Sequence, residues 1–127
     1  MAKARILIVE DEPNIVESLS FILRRAGFEV DTVSDGAEAL DRVRRQAFQV
    51  LVLDIMLPGM NGLDVLKAIR SDKSLSSLPV VVLTAKGQSN DRQTAEAIGA
   101  NAFITKPFSN ADVVERVSRL AEDAALR

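Results

Sequence analysis

The sequence predicts an α/β fold, with a doubly wound sheet of five parallel strands and helices on both faces. Short, almost wholly apolar runs alternate along the chain with segments whose apolar residues have helical spacing. Strands that are apolar throughout are typical of a parallel sheet, because helices cover both of its faces. The 127 residues, of which 47% are hydrophobic, suffice for one core, so we expect a single domain spanning residues 1–127.

Five segments are predicted to form the strands. Four are apolar and of strand length, and the first three of these are rich in β-branched residues: ILIV (6–9), VLVL (50–53), VVVL (80–83) and the weaker AFI (102–104). The remaining segment, FEVDTV (28–33), alternates apolar with polar residues. That alternation predicts a half-covered strand at an edge of the sheet.

The segments between and after the strands are predicted to be helices. In four of them apolar residues recur on one face: Ile15, Leu19, Ile22, Leu23 and Ala26; Leu40, Val43 and Ala47; Leu63, Leu66 and Ile69; and Val113, Val117, Leu120 and Ala124. Segment 88–99 has only a thin apolar stripe. It is therefore predicted to be the most weakly packed helix.

Several residues indicate where helices begin and end. Pro13 suits the first turn of a helix, where its missing N–H costs nothing. Gly27 and Gly99 each stand between a helical segment and a strand, as left-handed C-terminal caps do. Ser109 and Asp112 resemble a capping box with Asp in place of Glu.

The composition excludes several classes of site. Cysteine and histidine are both absent, which rules out disulfides, thiolate metal sites and a phosphohistidine on this chain. The net charge of −2 lacks the basic excess of a nucleic-acid-binding surface. No apolar run approaches the length of about 18 residues that a membrane-spanning helix needs. We therefore expect no direct nucleic-acid partner, no membrane partner and a cytoplasmic location.

Polar residues follow four of the predicted strands: Glu10, Asp11 and Glu12 after ILIV, Asp54 after VLVL, Thr84 after VVVL, and Lys106 just past AFIT. The carboxyl ends of parallel strands meet at one edge of the sheet, where ligands of open α/β sheets bind. Each residue also has an ordinary explanation, since acids favour helix N-termini, threonine is common in strands and surface lysines are solvated. An ion pair between Asp54 and Lys106 is a further alternative. The joint placement at one edge favours a functional site.

The residue types at this edge suit phosphoryl chemistry. Neighbouring carboxylates repel and cannot all stay ionised without a cation. Mg²⁺ fits an all-oxygen site best, because it takes one or two carboxylates, water and a phosphate oxygen. Thr84 offers a hydroxyl and Lys106 a positive charge, which together suit a phosphoryl group on an acyl oxygen. Asp54 is therefore predicted to be a nucleophile that forms an aspartyl phosphate.

Four motifs together resemble the receiver domain of bacterial two-component response regulators, the CheY-like family. They are ILIVEDE, LVLDIMLPGMNGLDVL, VVVLTA and FITKPF, in the family's order, and the similarity covers essentially the whole chain. The resemblance implies the flavodoxin-like strand order 2-1-3-4-5. It also implies a phosphorylation-dependent signalling switch rather than an enzyme, one that catalyses at most its own phosphorylation and dephosphorylation.

The resemblance assigns a role to each candidate residue. Asp54 is expected to accept the phosphoryl group from a phosphohistidine of a sensor histidine kinase or a histidine phosphotransfer protein. Glu10, Asp11, Asp54 and the backbone carbonyl of Met56 are expected to hold Mg²⁺, with Mn²⁺ as an alternative. Thr84 and Lys106 are expected to contact the phosphoryl group. The Lys106–Pro107 peptide bond is expected to be cis, and Phe103 to be the aromatic residue that turns inward when Thr84 moves.

The sequence departs from the family pattern at three places. Glu10 is longer than the aspartate that many members carry, so we expect it to reach a metal only through water, with direct binding as the alternative. Phe103 has no hydroxyl, so its two ring positions are expected to differ by packing alone. Asn101 and Ala102 stand where dimerising members commonly have two aspartates, although Asp112 and Arg116 are kept. We expect either a monomer or a phosphorylation-dependent dimer, whose changing surface comprises the fourth helix, fifth strand and fifth helix.

Three other functions agree less well with the residues of this chain. A degenerate receiver would keep the fold and lose phosphorylation, against which the complete set of candidate residues argues. A flavin-binding domain needs a glycine- or hydroxyl-rich loop after the first strand, where this chain has acids. A phosphatase of the haloacid-dehalogenase type needs a second acid two residues after its nucleophile, and that residue here is Met56. The sequence leaves open whether the chain acts alone or belongs to a longer regulator.

Overall fold

A computed structural model describes residues 3–85 and 89–125 of the chain. Five strands alternate with five helices in this order: β1 (Arg5–Val9), α1 (Pro13–Arg25), β2 (Glu29–Val33), α2 (Gly36–Arg45), β3 (Val50–Asp54), α3 (Gly62–Ser71), β4 (Val80–Ala85), α4 (Ser89–Ile98), β5 (Ala102–Lys106) and α5 (Asn110–Ala125). The predicted alternation of strand and helix is confirmed. Gln88, which the sequence places at the start of the fourth helix, lies outside the described residues.

The five strands form one parallel sheet in the order β2-β1-β3-β4-β5. The predicted fold class and strand order are therefore confirmed. Strand β2 lies at an edge, and its alternation of buried and accessible residues agrees with the pattern of FEVDTV. Strand β5, at the other edge, extends past the apolar run AFI to Lys106. Pairing with β4 explains this extension, because it includes Thr105 and Lys106.

Helices cover both faces of the sheet and enclose two hydrophobic cores. On the face covered by α2, α3 and α4, the core includes Leu51 and Leu53 of β3 together with Leu66 and Ala95 of the helices. On the face covered by α1 and α5, it includes Val50 and Val52 of the same strand, with Leu19, Leu23, Val113 and Val117. Alternate residues of a strand point to opposite faces. The central strands are thus apolar throughout because both faces are buried.

The helix ends follow the local signals in the sequence. Pro13 is the first residue of α1, as predicted. Gly27 and Gly99 follow α1 and α4 with φ of 102° and 123°, a left-handed backbone that glycine adopts without strain. The Ser109 hydroxyl accepts a hydrogen bond from the Asp112 N–H, which is one half of the predicted capping box. Helix α3 begins at Gly62, one residue before the predicted Leu63.

No helix within residues 3–85 and 89–125 is long and apolar enough to cross a membrane.

Candidate functional site

The carboxyl ends of β1, β3, β4 and β5 bring four of the predicted site residues together. Asp54 is the last residue of β3, Thr84 lies near the end of β4, Lys106 ends β5, and Glu10 directly follows β1. Glu10, Asp54 and Thr84 are among the few polar residues that are buried in this fold, with 1%, 3% and 3% of their surface exposed. Buried polar groups are costly unless they find partners, so their contacts decide what this edge can do.

Lys106 reaches across the end of the sheet to two carboxylates. Its Nζ lies 2.8 Å from Glu10 Oε1 and 3.3 Å from Asp54 Oδ2. Burial by itself would lower the pKa of the Lys106 ammonium, but the close contact with Glu10 and the negative charges of Asp54 and Glu10 outweigh it and raise the pKa. The ion pair with Asp54 that the sequence allowed as an alternative is therefore present, within a larger cluster.

Glu10 folds back toward the chain that follows it. Its Oε2 accepts hydrogen bonds from the N–H groups of Asp11 (3.0 Å) and Glu12 (3.2 Å). Burial raises the pKa of the Glu10 carboxyl, and the neighbouring Asp54 raises it further against the lowering effect of Lys106. Helix α1 is not capped by an acidic side chain, because Glu12 stands at the N-cap and makes no capping hydrogen bond. The acids after β1 therefore serve the cluster more than the helix.

Three carboxylates at this edge have the geometry of a cation site. Oxygen atoms of Glu10, Asp11 and Asp54 all lie within 4.8 Å of one another. Glu10 Oε1 is buried and, although it contacts Lys106, accepts no well-aligned hydrogen bond. Asp11 is exposed and offers its carboxylate at the mouth of the site. An all-oxygen set that combines crowded carboxylates with an oxygen lacking a full hydrogen bond suits a hard divalent cation.

Met56 lies beside the phosphoacceptor candidate. Its N–H donates to Asp54 Oδ1 at 3.2 Å, and its side chain is 61% exposed. This hydrogen bond orients the Asp54 carboxylate from the loop that leaves β3. The role of the Met56 carbonyl as a metal ligand stays a prediction.

Thr84 and Phe103 lie on neighbouring strands and on the same face of the sheet. Thr84 pairs with Thr105, and Phe103, two residues earlier on β5, pairs with Val82. The Arg92 guanidinium of α4 lies 4.7 Å from the centre of the Phe103 ring. The ring thus contacts a cation as well as the apolar core, and the expectation that its two positions differ by packing alone stays a prediction. The peptide bond after Lys106 is cis, the geometry that the resemblance implies.

Gly62, the first residue of α3, lies against the backbone of Asp54 and Ile55. A Cβ at this position would overlap the Asp54 carbonyl oxygen and lie 2.7 Å from the Ile55 Cα. The Gly62 N–H also donates to the Ile55 carbonyl at 3.0 Å. Nothing in the local sequence pattern reveals how closely α3 approaches the end of β3.

Asn101 is one of the two residues near the start of β5 that depart from the family pattern, and it forms contacts within the chain. Asn101 Oδ1 accepts hydrogen bonds from Arg70 Nη2 and from the Val80 N–H, each at 2.8 Å. Asp112 and Arg116 pair with each other along α5 at 3.1 Å. Asp112 and Arg116, which the resemblance assigns to a dimer face, thus pair with each other within the chain. Nothing in the sequence signals that Arg70 is the partner of Asn101, since the two residues are far apart along the chain.

The chain is similar to response regulators along most of its length. Residues 6–118 match the family model of the response regulator receiver domain. The DNA-binding response regulator MtrA of Mycolicibacterium smegmatis is 41% identical over 115 residues, which cover 91% of this chain and 49% of MtrA. The chain therefore spans about half the length of the curated relatives it matches.

Two solved structures show the same likeness in three dimensions. The receiver domain of a sensor histidine kinase from Pseudomonas aeruginosa PAO1, with a magnesium ion in its active-site cleft, has a TM-score of 0.88 at 30% identity and matches 95% of this chain and 99% of its own. The chemotaxis protein CheY4 of Vibrio cholerae has a TM-score of 0.87 at 32% identity, and the match covers 94% of this chain and 99% of the CheY4 chain. The family match, the identity and the shared fold show that this chain belongs to the response regulator receiver domains of two-component signalling.

Proposed function

We propose that this chain is an active phosphoacceptor, in which a phosphoryl group on Asp54 switches the surface formed by α4, β5 and α5. The observation that carries the proposal is the cluster at the end of the sheet. There the carboxylates of Glu10, Asp11 and Asp54 converge, and the Lys106 ammonium lies 3.3 Å from Asp54. A purely structural ion pair would not need a third carboxylate at the same point.

The proposed reaction is a transfer between two side chains of different proteins. An oxygen of the Asp54 carboxylate supplies the electron pair for a new O–P bond. The P–N bond of a phosphohistidine breaks, its nitrogen keeps the bonding pair, and with one proton taken up by the ring the donor leaves as neutral imidazole. Because this chain has no histidine, the donor belongs to a partner, namely a sensor histidine kinase or a histidine phosphotransfer protein.

The residues around Asp54 have distinct tasks in this proposal. Met56 N–H orients the carboxylate. Lys106 has a raised pKa and stays positively charged, so it can move from the carboxylates to the added phosphoryl oxygens. Thr84, buried on the neighbouring strand, can donate its hydroxyl to the same group. Mg²⁺ held by Glu10, Asp11, Asp54 and the Met56 carbonyl would neutralise charge on the phosphoryl oxygens when bound.

The output of this switch is binding rather than catalysis. We propose that the chain turns over no substrate beyond its own acyl phosphate, that it works in the cytoplasm, and that it is a monomer that can dimerise once phosphorylated. MtrA is a DNA-binding response regulator twice as long as the matched region. A receiver of this kind can therefore control a further domain or a separate partner.

Small-molecule phosphorylation tests the proposal against the degenerate-receiver and flavin-binding alternatives. The intact protein incubated with Mg²⁺ and acetyl phosphate should gain the mass of one phosphoryl group, and chelation of the metal should prevent the gain. Asp54→Asn should gain nothing, whereas the matched control Asp64→Asn, at an exposed position of α3, should behave as wild type. If the wild-type protein gained no mass under these conditions, the proposal would be wrong. A purified protein with the visible absorbance of a flavin would favour the flavin-binding alternative.

A further inference from the structure

A contact between a charge and an aromatic ring joins helix α4 to strand β5. Arg92 is exposed on α4, and its guanidinium lies 4.7 Å from the centre of the half-buried Phe103 ring. At this distance the cation is attracted by the negative face of the ring. The contact has a definite geometry, so a change in the position of either the ring or the helix would break it.

The ring lies on the face of the sheet that leads to the candidate site. Phe103 pairs with Val82 of β4, whose side chain is in the core beneath α2, α3 and α4. Thr84 stands two residues further along β4 and therefore points to the same face. Any movement of the buried Thr84 toward Asp54 thus changes the space beside Phe103. The ring contact with Arg92 is directly exposed to that change.

Helix α4 has little else to hold it over this face. Among its described side chains only Ala95 is buried, and its residues are otherwise mostly exposed. Its C-terminal end is fixed, because Arg70 of α3 donates to the Gly99 carbonyl at 3.0 Å and to Asn101 Oδ1 at 2.8 Å. The helix is therefore anchored at one end, and the Arg92 contact secures the half that lies away from this anchor.

We propose that the cation–π contact between Arg92 and Phe103 is a latch that stabilises the unphosphorylated state and so sets how readily the site accepts a phosphoryl group. The inference rests on the proposed function, which it deepens by naming a residue that regulates it. A latch that is made in the resting state and broken in the switched state must be overcome by the ligand that favours the switched state. Its removal therefore tightens the binding of that ligand.

Binding of beryllofluoride, a phosphoryl mimic, in the presence of Mg²⁺ measures this effect. Arg92→Met keeps an unbranched, flexible side chain and removes the guanidinium and its charge. We expect it to lower the dissociation constant roughly two- to fivefold, the range for a cation–π contact at an accessible site. Arg45→Met is the matched control, since Arg45 is 67% exposed on α2, outside the surface formed by α4, β5 and α5, and pairs with Asp41, and it should leave the constant unchanged.

A double-mutant cycle assigns the effect to the ring. In a Phe103→Leu background, Arg92→Met should change the dissociation constant by less than a factor of about 1.5, because the ring that the charge contacts is gone. An equal tightening with and without the ring would overturn the latch. An unchanged or weaker affinity of the Arg92→Met single variant would overturn it as well.

Fluorine NMR examines the latch in the metal-free and unphosphorylated protein. With fluorophenylalanine at all five phenylalanines, the Phe103 resonance is identified by its loss in Phe103→Leu. Arg92→Met should shift that resonance and leave those of the other four rings in place, and an unmoved Phe103 resonance would overturn the contact itself. Failure of the wild-type protein to bind beryllofluoride would overturn the proposed function and the latch together. Normal wild-type binding with no response to Arg92→Met would overturn the latch alone.

Discussion

At the scale of single residues, the site depends on how a buried carboxylate pair is neutralised. Glu10 and Asp54 are both nearly inaccessible, and both contact the ammonium of Lys106. Removing one partner of such an arrangement leaves the remaining charges buried and unpaired, which costs more than the pair itself contributes. The resting protein is therefore stabilised by the lysine that the proposed reaction later redirects.

Replacing Lys106 with methionine should destabilise the fold. We expect the free energy of unfolding to fall by about 1–3 kcal/mol, less than for a fully buried pair because solvent still reaches the lysine. Urea denaturation measures the change, and Lys67→Met, at an exposed position of α3, should stay within about 0.5 kcal/mol of wild type. Adding Asp54→Asn to Lys106→Met should restore part of the loss. An Lys106→Met variant as stable as wild type would contradict this account of the cluster.

Gly62→Ala should be destabilising although alanine favours helices. Intrinsic propensity would stabilise a helix by about 1 kcal/mol on this change. The added Cβ would instead meet the backbone of Asp54 and Ile55, so we expect a net loss of about 1–3 kcal/mol in urea denaturation and slower phosphorylation by acetyl phosphate.

Gly59→Ala provides the contrast for Gly62→Ala. Gly59 has φ of 69° and no atom near its hypothetical Cβ, so it should lose only the roughly 1–2 kcal/mol of left-handed backbone strain and keep its phosphorylation rate. Equal effects of the two alanines on that rate would show that Gly62 does not position Asp54.

At the scale of helices and strands, the junction of α3, α4 and β5 is held by one arginine. Arg70 donates to the carbonyls of Gly99 and Leu78 and to the side chain of Asn101, at 3.0, 2.8 and 2.8 Å. Asn101 in turn accepts from the Val80 N–H where β4 begins. A planar guanidinium can address all these acceptors at once, which a single ammonium cannot. Arg70 thus adds directed hydrogen bonds to the packing of Ile98 and Ala100 against the core at this end of α4.

Arg70→Lys should loosen this junction. The loss of two or more hydrogen bonds should lower the free energy of unfolding by about 1–3 kcal/mol and speed hydrogen exchange of the Gly99 and Ala100 amides. Arg45→Lys is the matched control, because Arg45 is 67% exposed and pairs with Asp41 along α2. It should change stability by less than about 0.5 kcal/mol. Unchanged exchange at Gly99 and Ala100 in Arg70→Lys would exclude the anchor.

The elements themselves could be predicted from the sequence because their signals are local. Apolar runs gave the strands, and Pro13, Gly27 and Gly99 gave helix ends, since each acts through its own backbone geometry. The candidate site could be predicted for a different reason: residues at the ends of parallel strands must meet whatever lies between them. The contacts of Arg92 with Phe103 and of Arg70 with Asn101 could not, because side chains on separate elements meet only once packing fixes their positions.

At the scale of the whole molecule, one sheet carries both the site and strand β5 of the surface formed by α4, β5 and α5. Its central strands are buried on both faces and form a rigid base for Asp54. Ala95 is the one buried side chain among those described in helix α4, so a movement of this helix breaks few buried apolar contacts. Under the proposed function, a charge change at the carboxyl edge of the sheet would reach the surface formed by α4, β5 and α5 through this helix.

The central claim is that the phosphoryl group resides on the carboxylate of Asp54. Borohydride reduces an acyl phosphate and converts an aspartyl phosphate into homoserine, so the position of homoserine in the digested protein marks the phosphorylated residue. After incubation with acetyl phosphate and Mg²⁺, the account predicts homoserine at position 54 and at none of the other aspartates, and none at all in Asp54→Asn. Homoserine at Asp11, or none in a wild-type protein treated in the same way, would contradict it.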